Sequence, residues 1–396
     1  MMRVAYVCAD PGVPIYGRKG CSVHVQEVIR ALCKRGLEVE VFASRIGGEP
    51  PADLEEIVVH QLPPMSKDPL VGSERAALLK NGDLYAALDL EGPFDLVYER
   101  YSLWSFMAMQ YAQDREVPGL LEVNAPLIEE QAEHRGLMDR ALAEWVAEKA
   151  FRNATALLAV SDQVADYLVR CFPGVRGRVH VVPNGVDPGR FDTSRKTFQP
   201  EPKNAFTVGF VGTLKPWHGL PILVEAFAQL HRRDDSARLL IVGDGPQREG
   251  IEDALAEQGL LSATDFAGAV DPAEIPGLLA RMDVAVAPYP NLAQFYFSPL
   301  KVYEYMAAGL PVVASRVGQL KGLIKDGVNG LLCPPGDADA LAEALNKLRL
   351  DPDLRASLGH AARQTILRGH TWDAVADRIL ELAAGATSEN KVLEGV

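Results

Sequence analysis

Short apolar runs recur along the chain, and each is followed by a segment with the spacing of a helix. The first run, RVAYVC at 3–8, ends in a loop rich in proline and glycine. Val25, Val28 and Leu32 then recur as on one helix face, and Gly36 ends the pattern. Short buried strands that alternate with helices predict an α/β fold, with a parallel sheet covered on both faces.

The same alternation continues in two series, which a polar, proline-bearing stretch separates. The first series predicts strands in EVEVFAS (38–44), FDLVYER (94–100), GLLEV (119–123), TALLAV (155–160) and RVHVVP (178–183). The second predicts strands in FTVGFVG (206–212), RLLIVG (238–243), TDFAG (264–268), DVAVAP (283–288) and LPVVAS (310–315).

Two doubly wound, Rossmann-like domains follow from this pattern, since 396 residues exceed one typical domain. We predict an N-terminal domain over 1–190, a linker over 191–204 and a C-terminal domain over 205–370. The segment 371–396 is expected to form a helix that packs back toward the N-domain and ends in a loose tail. Ligands of such sheets bind beyond the carboxyl ends of the strands, so we expect them in a cleft between two facing domains.

Charge and cysteine content exclude several classes of function. The chain has 53 acidic and 40 basic residues, a net charge of −13, which argues against nucleic acid as a partner. Its five cysteines are scattered without a C-x-x-C, so neither a disulfide framework nor a zinc site is indicated, and a cytoplasmic location fits best. No run reaches the length of a membrane helix, which predicts a soluble protein or one attached at the inner membrane surface.

A capped helix near residue 300 is the most informative local feature. Ser298 is a preferred N-cap, Pro299 suits the first helical position and Gly309 ends the pattern, which predicts a helix over 299–308. Lys301 falls in its first turn, where the helix dipole already disfavours a cation. A lysine there indicates a bound anion, because helix N-termini bind phosphate through their free N–H groups.

A carboxylate follows one turn deeper on the same helix face. Glu304 can only accept hydrogen bonds when it is ionised, and it is placed to accept them from sugar hydroxyls behind a phosphate site. Together, Lys301 and Glu304 predict a site for a nucleoside diphosphate with its ribose.

Two glycine-bearing loops are further candidates for binding phosphate. Gly20 stands just before the first helix, and GFVGTLKPWHGL (209–220) places Gly212, Lys215 and His218 in a short loop that leads into another helix. An ordinary glycine turn stays open as the alternative for the first loop, and a surface His218 with a packing Trp217 for the second.

Four motifs in the order VVPNGVD (181–187), GFVGTLKPWHGL, IVGDGP (241–246) and SPLKVYEYMAAGLPVVAS (298–315) resemble the retaining glycosyltransferase family 4. The similarity covers essentially the whole chain, and LEVNAPLIEEQ (121–131) resembles a motif of one branch. The resemblance implies the GT-B architecture and transfer of a sugar from a nucleotide-diphosphate sugar to an acceptor hydroxyl. The acceptor would be a glycan, a glycolipid or a small molecule.

The family's site residues can be assigned to the positions of this sequence that match its motifs. The resemblance implies that Glu304, the second glutamate of E-x7-E, binds the ribose, and that Leu300 and Lys301 lie at the diphosphate. Gly212 to Lys215 would form the facing phosphate loop, and Gly20 would lie near the reacting centre.

Two departures from the family pattern bear on the sugar and the charge. Tyr296 stands where the first glutamate of E-x7-E is expected, so Gln294, Asn291 or Tyr296 itself is left to contact the transferred sugar. Thr213 and His218 stand where the family has arginine and lysine, so Lys215 and Lys301 are expected to supply the charge.

The helper for the chemical step is sought at the end of the GLLEV strand. Asn124, as a neutral orienting group, is preferred there over Glu122, Glu129 and Glu130, and His24 is expected to be a packed histidine. The family implies front-face attack in which the leaving phosphate helps to take the acceptor proton.

No metal is expected in this mechanism. The two D-x-D triplets, Asp337-Ala-Asp339 and Asp351-Pro-Asp353, stand at predicted helix starts, where aspartate serves as a cap.

The predicted site thus has two parts. Gly20, Asn124 and Lys215 are assigned to catalysis. The donor would be bound by Ser298, Leu300, Lys301, Glu304, Gly212, Thr213, His218 and Tyr296.

The predicted partners are a donor and an acceptor. The donor is a UDP- or GDP-sugar without a further cofactor, the acceptor is a sugar, a lipid-linked or a small molecule, and the protein is a monomer or homodimer. Two alternatives stay open: a sugar-nucleotide epimerase or hydrolase, and a non-catalytic nucleotide-sugar sensor.

Overall fold

The chain folds into two compact α/β units. A computed structural model describes residues 1–65, 72–191, 205–292, 295–296, 298 and 300–393, with the side chains of 386–393 left out. The N-terminal unit consists of the chain up to Asn184, Tyr296, Ser298 and the C-terminal helix from Trp372. The C-terminal unit consists of the remainder from Gly185 to Thr371. Apart from Phe191, the predicted linker 191–204 lies outside the described residues.

The N-terminal unit is built on a seven-stranded sheet in which every pair of neighbouring strands is parallel. The strand order is β3-β2-β1-β4-β5-β6-β7. The strands are β1 (Arg3–Cys8), β2 (Glu38–Ala43), β3 (Val58–Gln61), β4 (Leu96–Arg100), β5 (Gly119–Val123), β6 (Ala156–Ala159) and β7 (Val179–Val181). The helices are α1 (Gly20–Lys34), α2 (Ser73–Glu91), α3 (Met107–Asp114), α4 (Leu127–His134), α5 (Arg140–Asn153), α6 (Asp162–Cys171) and, from the chain end, α14 (Trp372–Leu393).

The C-terminal unit has a six-stranded parallel sheet in the order β10-β9-β8-β11-β12-β13. Its strands are β8 (Thr207–Val211), β9 (Arg238–Val242), β10 (Thr264–Gly268), β11 (Val284–Ala287), β12 (Val312–Ser315) and β13 (Leu331–Cys333). Its helices are α7 (Leu220–Arg233), α8 (Arg248–Glu257), α9 (Ile275–Leu279), α10 (Leu300–Ala307), α11 (Leu320–Leu323), α12 (Ala338–Leu350) and α13 (Pro352–Leu367).

These bounds confirm the α/β prediction and every strand that it listed. The sequence pattern missed β3 and β13, which lie at edges of their sheets and have four and three residues. Short strands at a sheet edge need no long apolar run, because only part of their surface is covered. The predicted helix over 299–308 is confirmed as α10, while its expected first residue, Pro299, lies outside the described part.

The apolar faces predicted from the helical spacing form the cores. Val25, Val28 and Leu32 of α1 are buried, as are Leu223 and Phe227 of α7. None of the described helices combines the length and apolar character that crossing a membrane requires.

Candidate active site

The C-terminal sheet has one point where its strand order reverses direction, between β8 and β11. At such a point the connections leave neighbouring strands toward opposite faces, which opens a crevice at the carboxyl ends. The predicted phosphate loop follows β8, and α10 follows β11. The topology therefore brings together two motifs that lie far apart in the sequence.

Lys301 lies in the first turn of α10, and its Nζ atom is buried although the residue as a whole is only partly buried. The Nζ atom lies 4.2 Å from the ring centroid of Phe210 and 5.7 Å from that of Tyr289. Among the described residues, none forms a hydrogen bond with this buried nitrogen. Burial lowers the pKa of Lys301 to about 7, although the charge of Glu304 acts in the opposite direction. A buried, unpartnered amine is the atom that an anionic ligand would satisfy.

The backbone of the phosphate loop lies directly against this amine. Gly212 has φ of +142°, and a Cβ atom built on it would lie 2.8 Å from Nζ of Lys301. Its own N–H donates to the carbonyl of Val242, at 2.9 Å, which holds the loop to the end of β9. Only glycine combines this conformation with this close approach.

His218 closes the loop at the end of a short 3₁₀ turn, Pro216–His218. Its Nδ1 lies 2.5 Å from the carbonyl oxygen of Thr213, which can only accept, so Nδ1 carries the proton and Nε2 of the neutral ring is bare. Burial, and after it the charge of Lys301, lower the pKa of His218 to about 4. Lys215 lies on the same loop, and its Nζ is 5.6 Å from the ring centroid of Trp217.

Glu304 lies one turn after Lys301, and Leu300 begins the helix. An oxygen of Glu304 lies 3.7 Å from Nη1 of Arg190, and both side chains are about four-fifths buried, at 20% and 23% exposure. Arg190 also donates to the carbonyl of Pro272, at 3.0 Å. Sequence reasoning missed Arg190, because nothing local distinguishes it and only the tertiary fold brings it to Glu304.

Two predicted donor residues belong to the other compact unit. The hydroxyl of Ser298 accepts a hydrogen bond from the backbone N–H of Asn184, at 3.3 Å. The hydroxyl of Tyr296 donates to Glu130, and its carbonyl accepts from Ser161, at 2.9 Å. Burial, and then this bond to Glu130, raise the pKa of the Tyr296 phenol. Gln294, the other candidate sugar contact beside it, lies outside the described residues.

The predicted helper residues of the N-terminal unit lie at the ends of α1 and β5. Gly20 is the first residue of α1 and is exposed. Asn124 follows β5, and its amide donates to Glu122.

Glu122, a helper candidate less favoured than Asn124, lies inside the N-terminal unit. Its side chain is 4% exposed and accepts from the hydroxyl of Tyr98, at 2.5 Å, and from Nη1 of Arg100, at 3.3 Å. Nε2 of His24 lies 3.2 Å from the same carboxylate. The carboxylate is thus contacted by four side chains: Tyr98, Arg100, His24 and Asn124. Glu122 is therefore the centre of a buried polar network.

His24 is the packed histidine that the sequence predicted. Its ring lies edge-on to Trp372, with centroids 5.1 Å apart, and burial lowers its pKa to about 4. The remaining helper candidate, Glu129, forms an ion pair with Arg140 at 2.5 Å on the surface.

The two D-x-D triplets begin helices, as predicted. Asp337 accepts from the backbone N–H of Ala340, at 2.8 Å, and Asp351 from that of Leu354, at 2.9 Å. Both carboxylates are therefore used as N-caps.

A cavity of about 570 Å³ opens in the N-terminal unit at the reversal of its own strand order, between β1 and β4. Its walls come from the loops after these strands and from α2 and α4. They include Asp10, Asn81, Leu84, Leu103, Trp104 and Glu130.

Comparison with known proteins places this geometry in a family. A family model described as "Glycosyl transferases group 1" matches residues 205–351, and one described as "Glycosyltransferase Family 4" matches residues 18–190. The D-inositol 3-phosphate glycosyltransferase of Stackebrandtia nassauensis is 30% identical over 391 residues, which cover 91% of this chain and 85% of the relative. The chain belongs to the family 4 glycosyltransferases.

Solved structures of glycosyltransferases share the fold of this family 4 member. A sucrose-phosphate synthase from Thermosynechococcus elongatus matches with a TM-score of 0.73 and 22% identity, over 98% of this chain and 100% of that one. Anabaena HepE, in complex with UDP, matches with a TM-score of 0.73 and 20% identity, over 97% and 100%. The two Rossmann-like units are those of the GT-B fold, and the resemblance seen in the sequence motifs is confirmed.

Proposed function

We propose that this glycosyltransferase moves a sugar, with retention of configuration, from a nucleotide-diphosphate sugar to an acceptor hydroxyl. The observation that carries the proposal is the buried amine of Lys301 against the Gly212 loop, for which the described residues provide no hydrogen-bond partner. The structural relative HepE supports a uridine nucleotide, since it is known in complex with UDP, with UDP and glucose, and with UDP-glucose. A UDP-sugar is therefore the first donor to test, and a GDP-sugar the second.

In this proposal the leaving diphosphate lies between the loop after β8 and the start of α10. Lys301, with Lys215 of the loop, stabilises the negative charge that develops on the diphosphate as the glycosidic bond breaks, and His218 lies on the same loop. Preorganised charges of this kind need no solvent reorganisation at the moment of reaction. Glu304 accepts hydrogen bonds from the ribose, and Arg190 opposite it restricts the carboxylate to that position.

In this proposal, residues of the N-terminal unit take part in the reaction of the acceptor. The leaving phosphate takes the proton of the acceptor hydroxyl, while Gly20 and Asn124 orient the reacting groups. The proposal assigns no metal to the reaction, and it is supported in this by Asp337 and Asp351 of the two D-x-D triplets, which cap helices. A cytoplasmic site of action is supported by five free cysteines.

A donor screen tests the proposal. The protein is mixed with UDP-, GDP- and ADP-sugars, and the melting temperature is measured, because a ligand that binds only the folded state raises it. The best donor is then incubated with sugar, lipid-linked and small-molecule acceptors, and nucleotide release and products are followed. The anomeric configuration of the product, read by NMR, decides retention.

Each rival activity has its own outcome in this screen. Free sugar or an epimer as the main product would contradict transfer, and a melting shift without any turnover would indicate a sensor. A shift by none of the nucleotide sugars would contradict the proposed donor site.

A further inference from the structure

We propose that the protein takes up a proton from solvent when a nucleotide sugar binds, and that the amine of Lys301 receives this proton. The inference rests on the proposed function, because it requires the diphosphate to lie at Lys301. It assigns to this chain a way of charging its phosphate site that depends on the ligand itself.

The surroundings of Lys301 favour the neutral amine while the site is empty. Its Nζ is enclosed by the faces of Phe210 and Tyr289 and by the backbone at Gly212. No described residue accepts a hydrogen bond from it. Desolvation disfavours the charged form of an amine, and the pKa of Lys301 is lowered to about 7 for this reason.

The charged and titratable groups around the amine do not replace an anionic ligand. Glu304, on the same helix, attracts the charge but lies 3.7 Å from the competing cation of Arg190. His218 and Lys215, on the loop after β8, are basic, and the charge of Lys301 contributes to lowering the pKa of His218.

The two tyrosines that face this region stay neutral at physiological pH. Burial raises the pKa of both Tyr289 and Tyr305. The hydroxyl of Tyr305 is also engaged, since it accepts from the backbone N–H of Val211, at 2.7 Å. Since no described residue accepts a hydrogen bond from an ammonium at Lys301, the inference assigns that role to the ligand.

A bound diphosphate reverses the preference of the amine. An opposite charge within hydrogen-bond distance favours the charged form, so the pKa of Lys301 rises when the donor binds. The phosphates of a nucleotide sugar carry one charge each and do not titrate near neutral pH, so the proton comes from solvent. At pH 8 we expect uptake of about one proton, and at pH 6 almost none, because Lys301 is already protonated there.

The coupling of donor binding to protonation of Lys301 also determines how the affinity for the donor depends on pH. Above the pKa of the free site, the dissociation constant should rise by up to about tenfold per pH unit, since each binding event must first recruit a proton. His218 is a second possible acceptor, because its bare Nε2 needs a proton before it can donate to phosphate. Variants at the two positions separate their contributions.

Isothermal titration calorimetry in buffers of low and high ionisation enthalpy measures the proton count directly. UDP-, GDP- and ADP-glucose are tested, and the tightest binder is titrated at pH 6, 7 and 8. Lys301→Met should abolish the uptake at pH 8 and make the affinity nearly independent of pH. His218→Asn, whose amide can still donate to the carbonyl of Thr213, should keep the uptake.

If Lys301→Met binds the nucleotide sugar too weakly for calorimetry, a second variant still tests the inference. Lys301→Arg stays charged at every pH used, so it should bind the nucleotide sugar without proton uptake. Circular dichroism and melting curves confirm that each variant is folded.

Two results would overturn the inference while leaving the proposed function intact. One is tight donor binding by the wild type without uptake at pH 8, and the other is wild-type uptake in Lys301→Met. Failure of all three nucleotide sugars to bind would instead contradict the proposed function, and the inference with it.

Discussion

At the scale of single residues, Lys301 favours ligand binding at the expense of stability. We predict that Lys301→Met makes the ligand-free protein more stable at pH 7, by about 1–3 kcal/mol, because it removes a buried polar atom to which no described residue forms a hydrogen bond. Chemical denaturation at several pH values measures the effect.

The pH dependence of this gain has a definite sign. The pKa of Lys301 is about 7 in the folded protein and about 10.4 in an unfolded chain, so between these values only the unfolded chain binds the proton. Wild-type stability therefore rises with pH across this window, and the advantage of Lys301→Met should shrink from pH 7 to pH 10. If the free energies of unfolding of Lys301→Met and wild type differ by the same amount at pH 7 and pH 10, the lowered pKa is contradicted.

Glu304 should affect catalysis and leave the fold intact. We predict that Glu304→Ala lowers kcat/KM by roughly 10- to 150-fold, the loss of a hydrogen bond to a charged group of about 1.5–3 kcal/mol. Its melting temperature should change little, because the side chain is 20% exposed to solvent and its ion pair with Arg190 is long, at 3.7 Å. Glu343→Ala, in an exposed ion pair with Arg233, is the matched control and should keep full activity. Undiminished transfer by Glu304→Ala would remove it from the donor site.

Glu122 has the opposite role. We predict that Glu122→Ala lowers the free energy of unfolding by about 3–5 kcal/mol, since it leaves buried partners such as Arg100 and Tyr98 without their acceptor. Glu129→Ala, which breaks the exposed pair with Arg140, should cost at most about 1 kcal/mol. Equal losses in urea denaturation would mean that the network around Glu122 is not structural.

At the scale of elements, the loop between β8 and α7 depends on glycine. We predict that Gly212→Ala weakens nucleotide-sugar binding by at least tenfold, because the new methyl group would lie 2.8 Å from the amine of Lys301 and φ of +142° is strained for alanine. The control is Gly250→Ala in α8, where nothing lies within 4 Å of the added carbon. That change should raise the melting temperature, as alanine favours a helix by roughly 0.8–1 kcal/mol. Donor affinity in Gly212→Ala equal to that of the control would contradict the close approach.

At the scale of the whole molecule, the N-terminal unit is completed by the end of the chain. Helix α14 packs on α1, where the ring of Trp372 contacts His24, and Arg35 forms an ion pair with Asp377 at 2.6 Å. Trp372, Ala376 and Ile379 are the buried side chains of α14 that the prediction concerns. We predict that truncation after Thr371 lowers the free energy of unfolding by several kcal/mol. Each large apolar side chain that is no longer buried costs about 1.5–3 kcal/mol. Truncation after Gly385 keeps these contacts and should unfold like the full chain in calorimetry. Identical melting of both would show that α14 does not stabilise the unit.

The predictability of this protein differs from element to element. Strands such as β5 and helices such as α7 follow from local apolar spacing, which one stretch of chain contains in full. The short strand β13 and the network around Glu122 do not, because burial there is decided by neighbours far along the chain.

The sequence by itself determined the two α/β units, the helix that carries Lys301 and Glu304, and the family, because each rests on local periodicity or on motif order. Only the tertiary structure decided that Nζ of Lys301 is buried against Gly212 with no hydrogen-bond partner in the described part of the chain, and that Arg190 lies opposite Glu304. It also decided that the hydroxyl of Tyr296 bonds to Glu130. These three facts depend on distances between distant segments, which a linear pattern does not contain.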